Sequence, residues 1–205
     1  MRLLYGTSNP AKLSAMRRAL EPLGIELLGL RDMEDRPPDD VPETGRTPLE
    51  NARQKAWAYF QPYKMPVFSC DSGLHLAGVP DALQPGAHVR ARNGAYMTDD
   101  EMIAYYSGLA RTYGELTAWY DNAVCLIRDE ARVWEAMDES LASEKFLLAA
   151  QPHAVRRKGF PLDSLSKEIR SGAYYYDLSG GRETDALVAY QGFVAFFRAH
   201  LEELE

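Results

Sequence analysis

The sequence lacks several features that would assign it to common classes of protein. It contains no apolar run near the roughly 18 residues of a membrane-spanning helix. Its first strand leads directly into Gly-Thr-Ser-Asn-Pro, without the apolar segment of a secretory signal peptide. Positive charge is scarce, since the sequence has 23 Lys and Arg but 30 Asp and Glu, which gives a net charge of -7. We therefore expect a cytoplasmic protein that binds neither membranes nor, through a broad basic surface, nucleic acid.

Cysteine and histidine are also rare. The two cysteines, Cys70 and Cys125, lack the CxxC or CxxH spacing of a zinc site. We expect both to be reduced thiols in strands. The four histidines show no metal-site spacing either. We therefore expect them to have structural or surface roles.

What is present predicts a globular α/β protein. The 205 residues are 46% hydrophobic and 26% charged, enough for one domain with a substantial core. A strand ending at Thr7, a helix capped by Asn9 and starting at Pro10, and a strand at residues 25–30 form a βαβ opening. Such a unit indicates parallel strands.

Other elements are predicted from caps and apolar patterns. Capping boxes at Thr47 and Thr98 predict helices to about residues 60 and 113. A buried strand at residues 67–71 should deliver Asp71 at its C-terminal end. The remaining predictions are a loop at residues 31–46, an antiparallel hairpin of strands 116–128 and 131–140, a short strand at 173–178 and a buried helix at 184–201.

The first of three polar clusters is Thr7-Ser8-Asn9 with Lys12 one turn into the helix. Backbone amides, the helix dipole and a lysine at such a turn can bind a phosphate. The alternative is a capped helix with a surface lysine.

The other two clusters contain carboxylates. Glu43-Thr44-Gly45 is followed by Glu50, Asn51 and Lys55 along one face of the next helix, and Asp71-Ser72-Gly73 follows an apolar strand. Carboxylates near a lysine suit magnesium with phosphate, although Glu50 and Lys55 could also form a solvated helix face. An acid placed like Asp71 suits a metal ligand or a general base.

These motifs, in their order and spacing, resemble the inosine triphosphate pyrophosphatase family over roughly the first half of the chain. The similar segments are Thr-Ser-Asn-Pro-Ala-Lys at 7–12, Pro-Glu-Thr-Gly-Arg-Thr-Pro-Leu-Glu-Asn-Ala-Arg-Gln-Lys-Ala at 42–56, Asp-Ser-Gly-Leu at 71–74 and Pro-Gly-Ala-His-Val-Arg-Ala-Arg-Asn-Gly at 85–94. The resemblance implies a long twisted mixed sheet flanked by helices. It also implies a single domain, residues 1–205, with two lobes around a nucleotide cleft, and a homodimer.

The resemblance further implies Mg2+-dependent hydrolysis of a nucleoside triphosphate to monophosphate and pyrophosphate. In the family, this reaction removes deaminated purine nucleotides. Glu43 and Asp71 would bind Mg2+, and Asp71 would also be the base for the attacking water. Lys12 and Lys55 would contact the phosphates in catalysis. The further predicted substrate-binding residues are Thr7, Ser8, Asn9, Ser72, Arg92, Phe160, Asp163 and Arg182.

The chain departs from the family pattern at three places. Cys70 stands where the family has the first acid of a pair, so either catalysis or metal use is altered or another acid compensates. Gly-Phe-Pro-Leu-Asp at 159–163 replaces Gly-Phe-Gly-(Tyr/Trp)-Asp-Pro. There Phe160 would stack on the base and Asp163 accept hydrogen bonds from it; alternatively they are a core residue and a turn acid. The Ser-His-Arg that reads the purine is absent, and Arg182 stands nearest its place, so inosine specificity is not supported.

Several alternatives stay open at this stage. The basic run at residues 156–158 reaches the substrate or is a solvated surface, and Tyr174-Tyr175-Tyr176 is a half-buried strand or a stacking platform. The protein could act on another modified purine or pyrimidine nucleotide, or bind nucleotide without turnover.

Overall fold

The protein forms a mixed sheet with helices on both faces. The computed structural model describes residues 1–34, 41–92, 94–178 and 190–204. The described strands are β1 (Arg2–Tyr5), β2 (Glu26–Gly29), β3 (Val67–Leu76), β4 (Ala91–Arg92), β5 (Ala95–Tyr96), β6 (Leu116–Asp129), β7 (Arg132–Ala136), β8 (Phe146–Leu148) and β9 (Ser166–Lys167). The described α-helices are α1 (Pro10–Leu20), α2 (Pro48–Tyr63), α3 (Asp99–Tyr113), α4 (Gln191–Ala199) and α5 (Leu201–Leu204).

The main sheet has the order β2-β1-β3-β6-β8-β9, with β7 also paired to β6. The strands β1, β2 and the start of β3 are parallel, as the βαβ opening predicted. All the other pairings in this sheet are antiparallel, including the predicted β6–β7 hairpin. The predicted α/β class with a mixed sheet is confirmed.

The strand β3 is longer than predicted. It runs to Leu76 because β6 pairs with it continuously, from Val67 opposite Ile127 to Leu76 opposite Ala118. Asp71 therefore lies in the middle of a strand, and the prediction that it stands at a strand end is wrong. The parallel pairing of β3 with β1 ends at Phe68. Asp71 therefore lies just beyond the carboxyl end of β1.

Three hydrophobic clusters bury the sheet. On one face, α1 and α4 cover Phe68, Cys70 and their neighbours, and on the other face α2 covers Val67 and Cys125. The helix α3 covers the C-terminal end of β3 and the N-terminal end of β6 in a third cluster that includes Tyr106. Successive residues of β3 point to opposite faces, which separates the side chain of Cys70 from that of Asp71.

The C-terminal part differs from the sequence prediction. The prediction of a strand at residues 173–178 is wrong. Tyr175–Asp177 is a single 3-10 turn, and within this segment only Tyr174 forms a bridge, with Lys167. The predicted last helix is present as α4, and the start predicted at residue 184 lies outside the described residues. Among the described residues, no helix has both the length and the apolarity required to cross a membrane.

Candidate active site

Three predicted site residues meet at the face of the sheet that α2 covers. The Lys55 Nζ atom lies 2.7 Å from Glu43 Oε1 and 3.0 Å from Asp71 Oδ1. Glu43 comes from the loop before α2, Lys55 from the second turn of α2 and Asp71 from β3. The alternative of a solvated helix face does not hold for Lys55, whose side chain is only 13% exposed, while the Glu50 carboxylate accepts from the amide of Arg46 at 2.6 Å.

Asn51 completes this cluster; the sequence placed it on the helix face of Lys55 but assigned it no role in binding or catalysis. Its side chain is fully buried. Its Nδ2 donates to Asp71 Oδ2 at 3.0 Å, and its Oδ1 accepts from the amide of Gly45 at 2.7 Å. The signal in the sequence was its position one helical turn before Lys55, which places both side chains on the same side of α2. Asn51 therefore fixes both Asp71 and the loop that contains Glu43.

The electrostatics of the cluster favour its charged form. Burial alone would lower the pKa of Lys55, but the carboxylates of Asp71 and Glu43 outweigh it, so the pKa is raised. The ammonium group is therefore charged at neutral pH.

The donor set fits a divalent cation that is shared with phosphate. Among the described residues, no group of three or more His, Cys, Asp or Glu side chains is arranged to bind a metal. Two carboxylates, Glu43 and Asp71, do converge within 3.0 Å of one point, the Lys55 ammonium. Mg2+ is commonly bound by one or two carboxylates together with phosphate oxygens and water. The two acids thus suit Mg2+ that arrives with a nucleotide.

The turn after β1 is built as the sequence predicted. Asn9 Oδ1 caps α1 by accepting from the amides of Ala11 at 2.9 Å and Lys12 at 3.3 Å. Thr7 Oγ1 accepts from the amide of Asn9 at 3.2 Å, and Ser8 is exposed. The Asn9 Nδ2 group donates to the carbonyl of Gly159 at 3.2 Å. The side chain of Asn9 is therefore engaged with the protein at both ends.

Lys12 lies close enough to this cluster to respond to its charges. Burial lowers the pKa of its ammonium group, and the positive charge of Lys55 lowers it further, while Asp71 and Glu43 oppose these effects. None of the ion pairs within the described ranges includes Lys12. A cation of this kind at a helix N-terminus is well placed to bind phosphate.

Cys70 points away from Asp71, into the core between β3 and the α1–α4 layer. Burial raises the pKa of its thiol to about 12, although Lys12 and Lys55 oppose this. The group is therefore a neutral thiol at physiological pH, as expected, and not a thiolate ligand.

Two other predicted residues make contacts outside the carboxylate cluster. Ser72 donates to Asn122 Oδ1 at 2.7 Å across the β3–β6 pair. The guanidinium group of Arg92 lies over the ring of Tyr105, with Cζ 4.3 Å from its centroid. Neither contact points to phosphate, and their predicted substrate roles stay predictions.

The segment of Phe160 is joined to both α1 and α3. The carbonyl of Gly159 accepts from Asn9, and its amide donates to Asp99 Oδ2 at 3.0 Å. Phe160 is half-buried, and Arg157 Cζ lies 4.6 Å from its ring centroid. One member of the predicted basic run thus covers the predicted base-stacking ring.

The last two predicted substrate residues are Asp163 and Arg182. Asp163 lies in the 3-10 turn Pro161–Leu165, and its amide donates to the carbonyl of Phe160 at 3.2 Å. Arg182 lies outside the described residues.

The fold and the cluster together define an α/β protein with a carboxylate–lysine site next to a phosphate-binding type of turn. Residues 3–140 match the model of the Ham1 family, well over half of the chain. The chain belongs to this family. The predicted family membership is confirmed.

Curated relatives support the same assignment. The chain is 34% identical over 130 residues to a dITP/XTP pyrophosphatase of Exiguobacterium sp., covering 62% of this chain and 63% of the relative. It is 36% identical over 105 residues to a dITP/XTP pyrophosphatase of Thermus thermophilus, covering 51% of this chain and 48% of the relative. With the dITP/XTP pyrophosphatase of Aquifex aeolicus, identity is 39% over 79 residues, or 38% of this chain and 37% of the relative. The matched segments thus span less than two thirds of these proteins.

Solved structures extend the similarity in fold over the whole chain. A HAM1 protein from Coxiella burnetii superposes with a TM-score of 0.75 at 20% identity, covering 98% of this chain and 99% of the other. A nucleoside-triphosphatase / dITP/XTP pyrophosphatase from Mycobacterium abscessus gives 0.65 at 25% identity, covering 96% and 97%. The mixed sheet with its flanking helices is therefore a Ham1 fold.

Proposed function

We propose that this protein hydrolyses a nucleoside triphosphate between its α and β phosphates, releasing a nucleoside monophosphate and pyrophosphate. The observation that carries the proposal is the convergence of Glu43, Lys55 and Asp71 on one point, with Lys12 nearby at the start of α1. Membership of the Ham1 family and the similarity to proteins named dITP/XTP pyrophosphatase support it.

The lysines and the carboxylates of the site have different roles in the proposed reaction. Lys12 and Lys55 bind the phosphates, because a triphosphate bears about four negative charges that must be neutralised on both the α-phosphorus side and the leaving group. Glu43 and Asp71 hold Mg2+, which when bound supplies further neutralisation of phosphate charge. Asp71 accepts the proton of the attacking water. Asn51 donates to Asp71 Oδ2 at 3.0 Å and so leaves Oδ1 directed at the cluster.

The base that is recognised is not specified by the phosphate site. We propose a non-standard nucleotide and a role in removing such nucleotides from the cytoplasmic pool, because relatives act, by their names, on dITP and XTP. Phe160 and Asp163 are the proposed base contacts of the described residues, and Arg182 is a further proposed contact. A modified pyrimidine or another modified purine is the alternative substrate. We also propose that the chain forms a single domain with two lobes. We further propose that the protein is a homodimer, which sedimentation equilibrium would test.

A nucleotide-binding protein without turnover is the second candidate. The specific observation in its favour is the neutral thiol of Cys70 at a position where the family pattern has an acid. Such a protein would be stabilised by nucleotide with Mg2+ and would release no pyrophosphate.

The decisive experiment is pyrophosphate release from a panel of nucleoside triphosphates, with Mg2+ and with a chelator. The panel contains inosine, xanthosine, the four standard bases and several modified ones. Metal-dependent release from one or a few members would establish the hydrolase and identify its base. Thermal stabilisation by a nucleotide without any release would establish the binding protein instead.

A further inference from the structure

The Lys55 ammonium occupies the point at which the two acids of the site converge. Its Nζ atom is 2.7 Å from Glu43 Oε1 and 3.0 Å from Asp71 Oδ1. The exposed fractions of the side chains are 13% for Lys55, 29% for Glu43 and 8% for Asp71, so the pair of contacts is largely shielded from water. Asp71 Oδ2 accepts from Asn51, which leaves Oδ1 as the oxygen for a cation.

A divalent cation would compete with the Lys55 ammonium for these oxygens. A Mg2+ ion binds oxygen at about 2.0–2.1 Å, and an ammonium that contacts the same oxygens would lie within a few ångströms of it. Like charges at such a distance in a poorly solvated site repel strongly. Binding of a divalent cation by Glu43 and Asp71 therefore favours movement of Lys55 away from these oxygens.

We propose that Lys55 is an exchangeable internal cation, which neutralises Glu43 and Asp71 until a divalent cation takes its place and which then pairs with the phosphates of the nucleotide. The inference rests on the proposed function, since it takes these acids as the metal site and a triphosphate as the ligand. Its consequence is that metal and phosphate bind cooperatively: an ammonium displaced without phosphate would be buried without a partner, which is unfavourable.

The surroundings support this direction of movement. Lys12 is the neighbouring cation, and its pKa is lowered by burial and by the charge of Lys55. A phosphate between the two lysines would relieve this repulsion. Phosphate is therefore the energetically most favourable partner for the displaced Lys55 ammonium.

The test measures metal affinity without turnover. MgCl2 is titrated calorimetrically into the protein, alone and with saturating inorganic pyrophosphate as the phosphate probe, and the heat of the same titration into pyrophosphate without protein is subtracted. For the natural sequence we expect weak Mg2+ binding alone and binding about tenfold or more tighter with pyrophosphate, within the usual range of coupling. For Lys55→Met we expect tighter Mg2+ binding alone than in the natural sequence, and a smaller effect of pyrophosphate.

Controls separate the exchange from general effects of charge or folding. Arg53→Met removes a cation from the same helix, where Arg53 Nη2 pairs with Glu135 at 2.6 Å, and should leave Mg2+ affinity unchanged. Lys55→Arg keeps the positive charge and should keep Mg2+ binding weak. Thermal unfolding of Lys55→Met with and without Mg2+ provides a second readout: Mg2+ should stabilise this variant more than the natural protein.

The proposal is overturned if Mg2+ binds Lys55→Met no more tightly than the natural protein and stabilises it no more. Pyrophosphate release by the natural protein, measured in parallel, distinguishes the two ideas. Turnover with equal Mg2+ affinities would refute the exchange and leave the proposed hydrolase in place. Exchange measured without turnover would support the Lys55 proposal and refute the hydrolase.

Discussion

At the scale of single residues, the site depends on a few polar contacts that reach across the chain. The sequence identified Glu43, Lys55 and Asp71 as candidates because carboxylates near a lysine suit a metal ion with phosphate, and the fold brings the three side chains together. It placed Asn51 on the helix face of Lys55 but gave it no role, because that role depends on its contacts with Gly45 and Asp71, which only the fold brings together.

Replacing Asp71 by Asn tests its role as base. The amide keeps the size of the side chain and loses the negative charge, so proton acceptance is lost. We expect the rate of pyrophosphate release to fall by about 10²–10⁴-fold, while nucleotide binding is weakened but partly retained through Lys12, Lys55 and Glu43. Asp129→Asn, in the β6–β7 turn, is the matched control and should leave the rate unchanged. An active Asp71→Asn enzyme would refute the assignment.

Replacing Cys70 by Asp tests whether the thiol limits turnover. The new carboxylate would feel the positive charge of Lys12, which already acts on the thiol. We expect pyrophosphate release to rise or stay level, measured against Cys70→Ser, which changes the side chain without adding charge. A steep fall in Cys70→Asp, with the fold intact by circular dichroism, would indicate that the cysteine belongs to a re-adapted site.

Lys12 should set the alkaline limit of nucleotide binding. Its pKa lies below the ordinary 10.5, chiefly because of burial and then because of Lys55, whereas the pKa of Lys55 is raised. As pH rises, Lys12 therefore loses its proton first, and nucleotide affinity should fall with a midpoint below that ordinary value. Lys12→Arg stays charged and should move the loss to higher pH. Calorimetric titrations at a series of pH values measure this, and identical midpoints would contradict it.

At the scale of elements, local signals predicted the starts of helices well and the extents of strands poorly. The bounds of α1 follow from Asn9 and Pro10, and the Thr98 capping box is formed in full at α3, because caps involve only neighbouring residues. The length of β3 depends on its pairing with β6, some fifty residues further along the chain. Tyr174 to Tyr176 favour a strand by type, but within the described part of the chain only Tyr174 forms a bridge, with Lys167.

The segment at Gly159 links α1 to α3, and a substitution of Gly159 can test the importance of this link. Gly159 has φ +85°, and an added Cβ would lie 2.8 Å from Asn9 Oδ1. Gly159→Ala should therefore combine backbone strain of about 1–3 kcal/mol with displacement of the Asn9 cap. We expect lower stability in urea unfolding and weaker nucleotide binding.

Gly172→Ala is the matched control for this variant. Gly172 has a similar positive φ, +67°, but nothing lies near the added Cβ. It should therefore show the strain alone, and its nucleotide affinity should not change. Equal losses of stability and affinity in the two variants would show that contact with Asn9 is unimportant.

At the scale of the whole molecule, an acidic protein has to attract an acidic ligand. The net charge is -7 and the sequence pI is about 5.2, so long-range electrostatics oppose the approach of a triphosphate. The local site offsets this with Lys12 and Lys55, but Glu43 and Asp71 cancel much of their charge. A divalent cation bound by the two acids, as proposed, would supply additional positive charge.

Nucleotide binding should therefore depend on Mg2+. The measurement is thermal unfolding with the nucleotide that the release panel selects, in Mg2+ and in excess chelator. In Mg2+, ligand at 100 times its Kd should stabilise the fold by about 2.7 kcal/mol, and in chelator the stabilisation should fall substantially because the affinity falls. The variant Glu43→Gln should reduce the difference between the two conditions, while Glu130→Gln, in the exposed β6–β7 turn, should preserve it. Equal stabilisation with and without the metal would show that the lysines alone neutralise the phosphates and that Glu43 and Asp71 do not bind a cation.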